Sequence, residues 1–181
     1  MFRYIVMAVL AAVLLTGCLT PVYKEYTINV NPDGSGSGTI RFVDIISGEP
    51  WDEGEIQSDF RELIEEYLGG SYFEEDYYGM TVKEKKLYEE DGVLVGQIDF
   101  NFKSLSTLKF YRYEKCDCCP WMNTELLEDE HLIETNGEFI YGDPIVYIWP
   151  SDVTTMEFKT VLAGRSDGVS LLPQYKEWEE K

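Results

Sequence analysis

Histidine is almost absent from this chain: His131 is the only one in 181 residues. A serine triad or a histidine-centred general base would have that single residue to use, and no G-x-S-x-G elbow is there to present a nucleophile. Carboxylates are too numerous for one acid–base pair to be singled out by spacing. The expectation is a protein that is not an enzyme and needs no cofactor. Basic residues are scarce as well, 15 Lys and Arg against 34 Asp and Glu, a formal net charge of −19. A field of that sign repels phosphate backbones and anionic membrane surfaces, so nucleic acid is not an expected partner. Long hydrophobic runs are also lacking. The run from Tyr4 to Leu15 is about twelve residues, where a membrane span needs roughly twenty.

What that run does have is the layout of a secretory signal: Arg3 ahead of it, and small or polar residues and a cysteine behind it. Leu15-Thr16-Gly17-Cys18 resembles the lipobox of bacterial lipoproteins. The resemblance implies diacylglyceryl transfer to the Cys18 sulfur, palmitate-type acylation and cleavage before Cys18. Two acyl chains on one residue anchor stably, whereas one chain binds only marginally. Ordinary secretion with Cys18 free is the alternative. Residues 1–17 are then the signal peptide, a cleaved signal helix. Residues 18–25 are a lipidated cysteine and tether, 26–172 one domain, and 173–181 a charged tail. The expected location is the cell envelope, with the membrane reached through the lipid on Cys18. Leu19 is not the acidic residue that marks inner-membrane retention in some diderms, so the outer membrane is expected if the source has two.

About 160 residues remain after such processing, enough for one domain with a real core. Tyr26, Ile28 and Val30 alternate with Thr27, Asn29 and Asn31, the period of a half-buried strand. NPDGSGSG, from Asn31 to Gly38, supplies turn residues, and TIRFVDII follows as a second strand, so a hairpin is expected. A phosphate-cradling use of this glycine-rich stretch would need a helix directly after it. Asp52 can cap a helix with Glu55 three residues on. Ile56, Phe60, Leu63, Ile64 and Tyr67 then mark one face up to the stop at Gly69-Gly70. Glu55, Asp59, Glu62, Glu65 and Glu66 are expected on its solvated face. SYFEEDYYGM is read as an acidic-aromatic loop that could hold a hard cation through Glu74, Glu75 and Asp76 or present Tyr72, Tyr77 and Tyr78. Its spacing fits no calcium loop.

A second hairpin is expected around Asp91-Gly92. Its lysine-rich first strand reads as an edge, and its second strand alternates Leu94, Ile98, Phe100 and Phe102. Gly96 falls in the apolar register, as a bulge or a point of close approach. TELLEDEHLIE reads as a short helix or charged loop, and strands return at Glu138–Tyr141, Ile145–Trp149 and Thr154–Leu162. No repeat of fixed period is present. The fold class is α+β: a largely antiparallel sheet with one main amphipathic helix and a cysteine-containing inserted loop near 113–136.

The strand, Asp33-Gly34-Ser35-Gly36 turn, strand, helix and strand pair ending in Phe102-Lys103-Ser104-Leu105 resemble the N-terminal part of LppM-like bacterial lipoprotein domains. The resemblance covers roughly Tyr23 to Leu108 and implies a compact α+β unit behind a lipidated cysteine, in an envelope protein that binds lipid or glycolipid. It transfers no catalytic residue.

CDCC lies outside that resemblance. If Cys18 carries lipid, then Cys116, Cys118 and Cys119 remain, an odd number in an oxidising compartment. They can form a small local disulfide with one spare thiol, or stay reduced, or pair between molecules. With His131 they also make a sulfur-rich set of the kind Zn²⁺ or Cu(I) accepts, although C-x-C-C brings the sulfurs too close for easy tetrahedral closure. Two functions follow. One is a non-catalytic, lipid-anchored envelope lipoprotein binding a lipid-like ligand or a protein partner. The other is a metal-handling or thiol-redox lipoprotein acting through CDCC.

Overall fold

A computed structural model describes residues 19–48, 52–76, 79–111, 120–123, 130–140, 146–162 and 168–181. Cys18, Cys116, Cys118 and Cys119 lie outside them. Two long strands, β1 (Leu19–Val30) and β2 (Gly36–Ser47), form the first hairpin with Tyr26 opposite Ile40. Its turn bends at Gly34, whose φ of 84° is left-handed backbone that glycine takes without a Cβ clash. The second hairpin joins β3 (Met80–Glu90) to β4 (Val93–Phe102) through Asp91 and Gly92, at φ 51° and 81°. Positive φ at both positions is what a tight two-residue hairpin turn requires.

Between the hairpins lies α1 (Glu53–Glu62), continued by a π-helical turn over Leu63–Leu68. Asp52 caps it as expected, its carboxylate accepting the Gly54 and Glu55 N–H groups. Ile56, Phe60 and Leu63 are buried, and Ile64 and Tyr67 are half-buried. Asp59 departs from the expected solvated face. It is 4% exposed and accepts the hydroxyl of buried Ser47 at 2.6 Å, so the acid is buried with a partner. A short helix, α2 (Tyr72–Asp76), replaces the expected loop.

The remaining strands are β5 (Trp121–Asn123), β6 (Glu130–Thr135), β7 (Glu138–Ile140), β8 (Val146–Ile148), β9 (Thr155–Leu162) and β10 (Val169–Ser170). The main sheet has the order β3-β4-β2-β1-β9-β6, with β10 on β2, and β5-β8-β7 form a second sheet. Every pairing among the described residues is antiparallel, as the α+β reading expects. The lysine-rich β3 is an edge. One face of the main sheet carries two apolar clusters. Ile45 and Leu94 pack with Ile56, Phe60 and Leu63, while Ile28, Phe100 and Met156 pack with Phe110, Met122 and Trp149. The opposite face is a ladder of polar pairs, Arg41 with Glu25 and Glu90, and Lys159 with Glu25.

Three further expectations need correction. Residues 19–25 are not a tether, because β1 begins at Leu19. Pro21 does not stop it, since β9 pairs only from Tyr23 onward and asks no N–H of the proline. TELLEDEHLIE is neither helix nor loop from Glu130 on: that part is β6, its charges spaced by a strand period against β9. Together with β5, it is strand where an inserted loop was expected.

The supposed tail 173–181 is also docked structure, α3 (Leu172–Glu179). Leu171, Leu172, Tyr175 and Trp178 recur at helical spacing, and Pro173 stands in the first turn, where its missing N–H costs nothing. The buried Tyr175 hydroxyl donates towards the Leu87 carbonyl at 3.1 Å and the Glu179 carboxylate at 2.8 Å. Burial first, then the bond to Glu179 and the negative charges of Glu179 and Glu89, push its pKa up to about 12. The folded value lies above the unfolded one, near 10. The folded state therefore holds the proton more tightly, and this stabilisation is complete below pH 10 and lost between about 10 and 12. Tyr175→Phe should show a shallower loss of stability across that window than the parent, measured by urea midpoints at successive pH values. Identical slopes would mean that α3 is undocked.

Candidate functional site

Alternation along four neighbouring strands puts Lys24, Phe42, Gly96 and Leu87 side by side in one row across β1, β2, β4 and β3. Three have side chains and one does not. Gly96 leaves a gap in the sheet face, and a Cβ there would come within 3.1 Å of Ile45 Cδ1. This is the close approach that the apolar register anticipated, and the bulge of this hairpin sits instead between Val82 and Glu84 on β3. Above the row pass Leu63 and Tyr67 of the π-helical turn and Tyr72 and Phe73 of α2. Leu19, Thr20 and Pro21 close one end. The result is a groove of about 260 Å³, walled by aliphatic and aromatic side chains.

Tyr67, Tyr72 and Phe73 form a mutual aromatic cluster, with ring centroids 4.5 to 5.7 Å apart. Three lysines line the groove, Lys24, Lys85 and Lys86, and the first two lie near aromatic rings. Lys24 Nζ lies 5.9 Å from the Phe42 ring centroid and donates to Glu130 Oε1 at 2.6 Å. Lys85 Nζ lies 5.8 Å from the Phe73 ring and donates to the Gly70 carbonyl at 2.5 Å and Glu74 Oε2 at 3.0 Å. Glu130 is held in turn by the Tyr26 hydroxyl at 2.9 Å and the fully buried Thr160 hydroxyl at 2.7 Å. Each of these two ammoniums is thus fixed in direction by a carboxylate and an aromatic face, an arrangement suited to orienting a polar head beside an apolar chain.

Two acids of the acidic-aromatic segment already have partners. Glu74 is committed to Lys85, and Glu75 accepts the Ser71 hydroxyl. Tyr72 alone of the three named tyrosines is described, and it lines the groove. His131 is exposed on β6, opposite Val161. Its neighbours Glu130 and Leu132 face the core side, so the imidazole lies on the sheet face away from the groove. Among the described residues no group of three or more His, Cys, Asp or Glu is placed to hold a metal ion.

Lys24, Lys85 and Glu130 were absent from the expected site. Lys24 had a signal, since it is a lysine in the register of Tyr26, Ile28 and Val30, whereas the bulge between Val82 and Glu84 breaks the alternation that would have marked Lys85. Glu130 had none, being 106 residues from the lysine it binds.

No protein-family model, curated protein or solved structure matches the chain. No helix among the described residues is long and apolar enough to cross a membrane.

Proposed function

We propose that this protein is a non-catalytic, lipid-anchored lipoprotein of the cell envelope whose groove takes a lipid-like ligand. The observation that carries the reading is an apolar groove under the π-helical turn and α2 with the carboxylate-tethered ammoniums of Lys24 and Lys85 at its walls. An acyl chain fits the apolar part, and its anionic or zwitterionic head meets the lysines. Two further features support it. β1 starts one residue after Cys18, so the groove wall made by Leu19, Thr20 and Pro21 adjoins the residue that would carry the acyl chains. The strand, turn, strand, helix and strand-pair order behind the LppM-like resemblance also runs through β1 to β4. In a source with two membranes the outer one is the proposed site of attachment.

The test is titration of the full chain in detergent with a dansylated fatty acid, followed by competition with oleate. Leu87→Trp fills the groove from an edge strand and should weaken binding by at least about tenfold while the circular dichroism spectrum is kept. Failure of the parent to bind, or equal binding by the variant, would overturn the ligand assignment. Cys18→Ala should leave a precursor of unchanged length with no acyl mass on the intact protein. A processed, acylated product from that variant would rule out the anchor.

A further inference from the structure

At the far end of the main sheet, on the face opposite the groove, Asn29, Ser37, Asn101 and Thr81 stand directly beside one another across β1, β2, β4 and β3. This row lines a second hollow, of about 450 Å³, roughly 33 Å along β1 from Leu19 at about 3.3 Å per residue. Lys83 and Lys103 line the same hollow, and among the described residues no carboxylate does. In a chain with 34 acidic residues that local composition stands apart.

The bonding state of these groups separates them from the rest of that face. Thr39 and Asp99, one row nearer the groove end, and Gln97, two rows nearer, are bonded through the Asp99 carboxylate. By contrast Ser37, Asn101 and Thr81 have no side-chain partner among the described residues. Asn29 uses only its carbonyl oxygen, accepting from Thr155 at 3.1 Å. Lys24, Lys85, Lys86, Lys159 and Lys176 all make ion pairs, whereas Lys83 and Lys103 make none among the described residues. Lys83 also owes its position to the bulge. The register shift between Val82 and Glu84 leaves it without a cross-strand partner, and a bulge re-aims the side chain it carries.

We propose that this hollow binds a phosphorylated sugar. A row of amides and hydroxyls both donates and accepts, which matches sugar hydroxyls, and strand spacing sets neighbouring groups about 4.8 Å apart. Two unpaired ammoniums match the roughly dianionic charge of a phosphate monoester, to which lysine binds as a point charge. The site faces away from the groove and depends neither on the lipid ligand nor on the anchor.

Calorimetric titration of the full chain in detergent with glucose 6-phosphate, glucose and inorganic phosphate tests the proposal, alongside vesicles of phosphatidylglycerol. Glucose 6-phosphate should bind more tightly than either part alone. Lys83→Gln with Lys103→Gln should weaken it at least about tenfold, and Asn101→Ala several-fold. All three positions are exposed, so the variants should keep the parent's unfolding midpoint, and retained circular dichroism checks this. Four results would each overturn the proposal: no binding of glucose 6-phosphate at millimolar concentration, inorganic phosphate binding as tightly, affinity unchanged in the lysine variant, or vesicle binding through these lysines without sugar phosphate binding.

Discussion

Trp149→Ala is expected to lower the unfolding free energy by about 3–5 kcal/mol, the range for removing a large aromatic from a packed core. Trp149 is 1% exposed and follows the last residue of β8. It belongs by sequence to the small sheet but packs on the large one, with ring centroids 5.4 Å from Phe110 and 6.4 Å from Phe158 of β9. Its backbone N–H is bound to the Pro120 carbonyl, and its indole N–H donates to Asn136 Oδ1 at 2.7 Å. Gly137 lies flat against the ring, where a Cβ would come within 2.7 Å of it. Truncation leaves a cavity that this rigid surround cannot close, and it removes the indole donor from Asn136 Oδ1, which then keeps only the Glu157 N–H. Urea unfolding followed by circular dichroism measures the loss. Trp149→Phe separates the two terms: it keeps most of the apolar area and should cost about 0.5–1.5 kcal/mol for the bond to Asn136. A loss under about 1 kcal/mol for Trp149→Ala would mean that the two sheets are not packed through this residue.

The parts of this fold legible in the sequence are those specified over short distances. Asp91-Gly92 between alternating strands dictated a tight turn, and Asp52 with the Ile56, Phe60, Leu63 spacing dictated a capped helix. Each is settled by residues within a few positions of one another. The misreadings have physical causes. Pro21 looked like part of a tether because a proline inside a central strand loses a ladder bond, and the sequence carries no sign that β9 is too short to ask for it. Glu130 to Glu134 read as a charged helix or loop because β6 is an edge, where charges are favoured and the alternation is blurred. α3 was hidden among the charges of its solvent side, although Leu171 and Tyr175 were in register.

The groove was illegible for a different reason. Its floor comes from four strands and its roof from the π-helical turn and α2, and no window of sequence contains both. Lys24 could have been flagged as a lysine in an apolar register, whereas the bulge in β3 hid that of Lys85. Their meaning depends on which aromatic rings and carboxylates arrive from elsewhere: Phe42 and Glu130 for one, Phe73 and Glu74 for the other.

That dependence makes the docking of α1 the second large effect. Phe60→Ala should cost about 3–5 kcal/mol, because Phe60 is 8% exposed and packs among Ile45, Ile56, Leu63, Leu94 and Leu171. Those partners come from β2, β4 and the segment before α3, so the ring ties the helix to the sheet and to the C-terminal helix at once. Phe60 does not itself line the groove. Loosening the helix should nonetheless displace Leu63 and Tyr67, which do, by way of the π-helical turn. Two readouts should therefore move together: the urea midpoint falls, and affinity for the dansylated fatty acid drops even where the variant is still mostly folded. Phe60→Leu retains a branched apolar side chain in the same cluster and should recover more than half of both losses. A stability loss under about 1 kcal/mol for Phe60→Ala would mean that α1 is not seated on the sheet. A full stability loss with unchanged fatty acid affinity would mean that the bound chain lies somewhere other than beneath this helix.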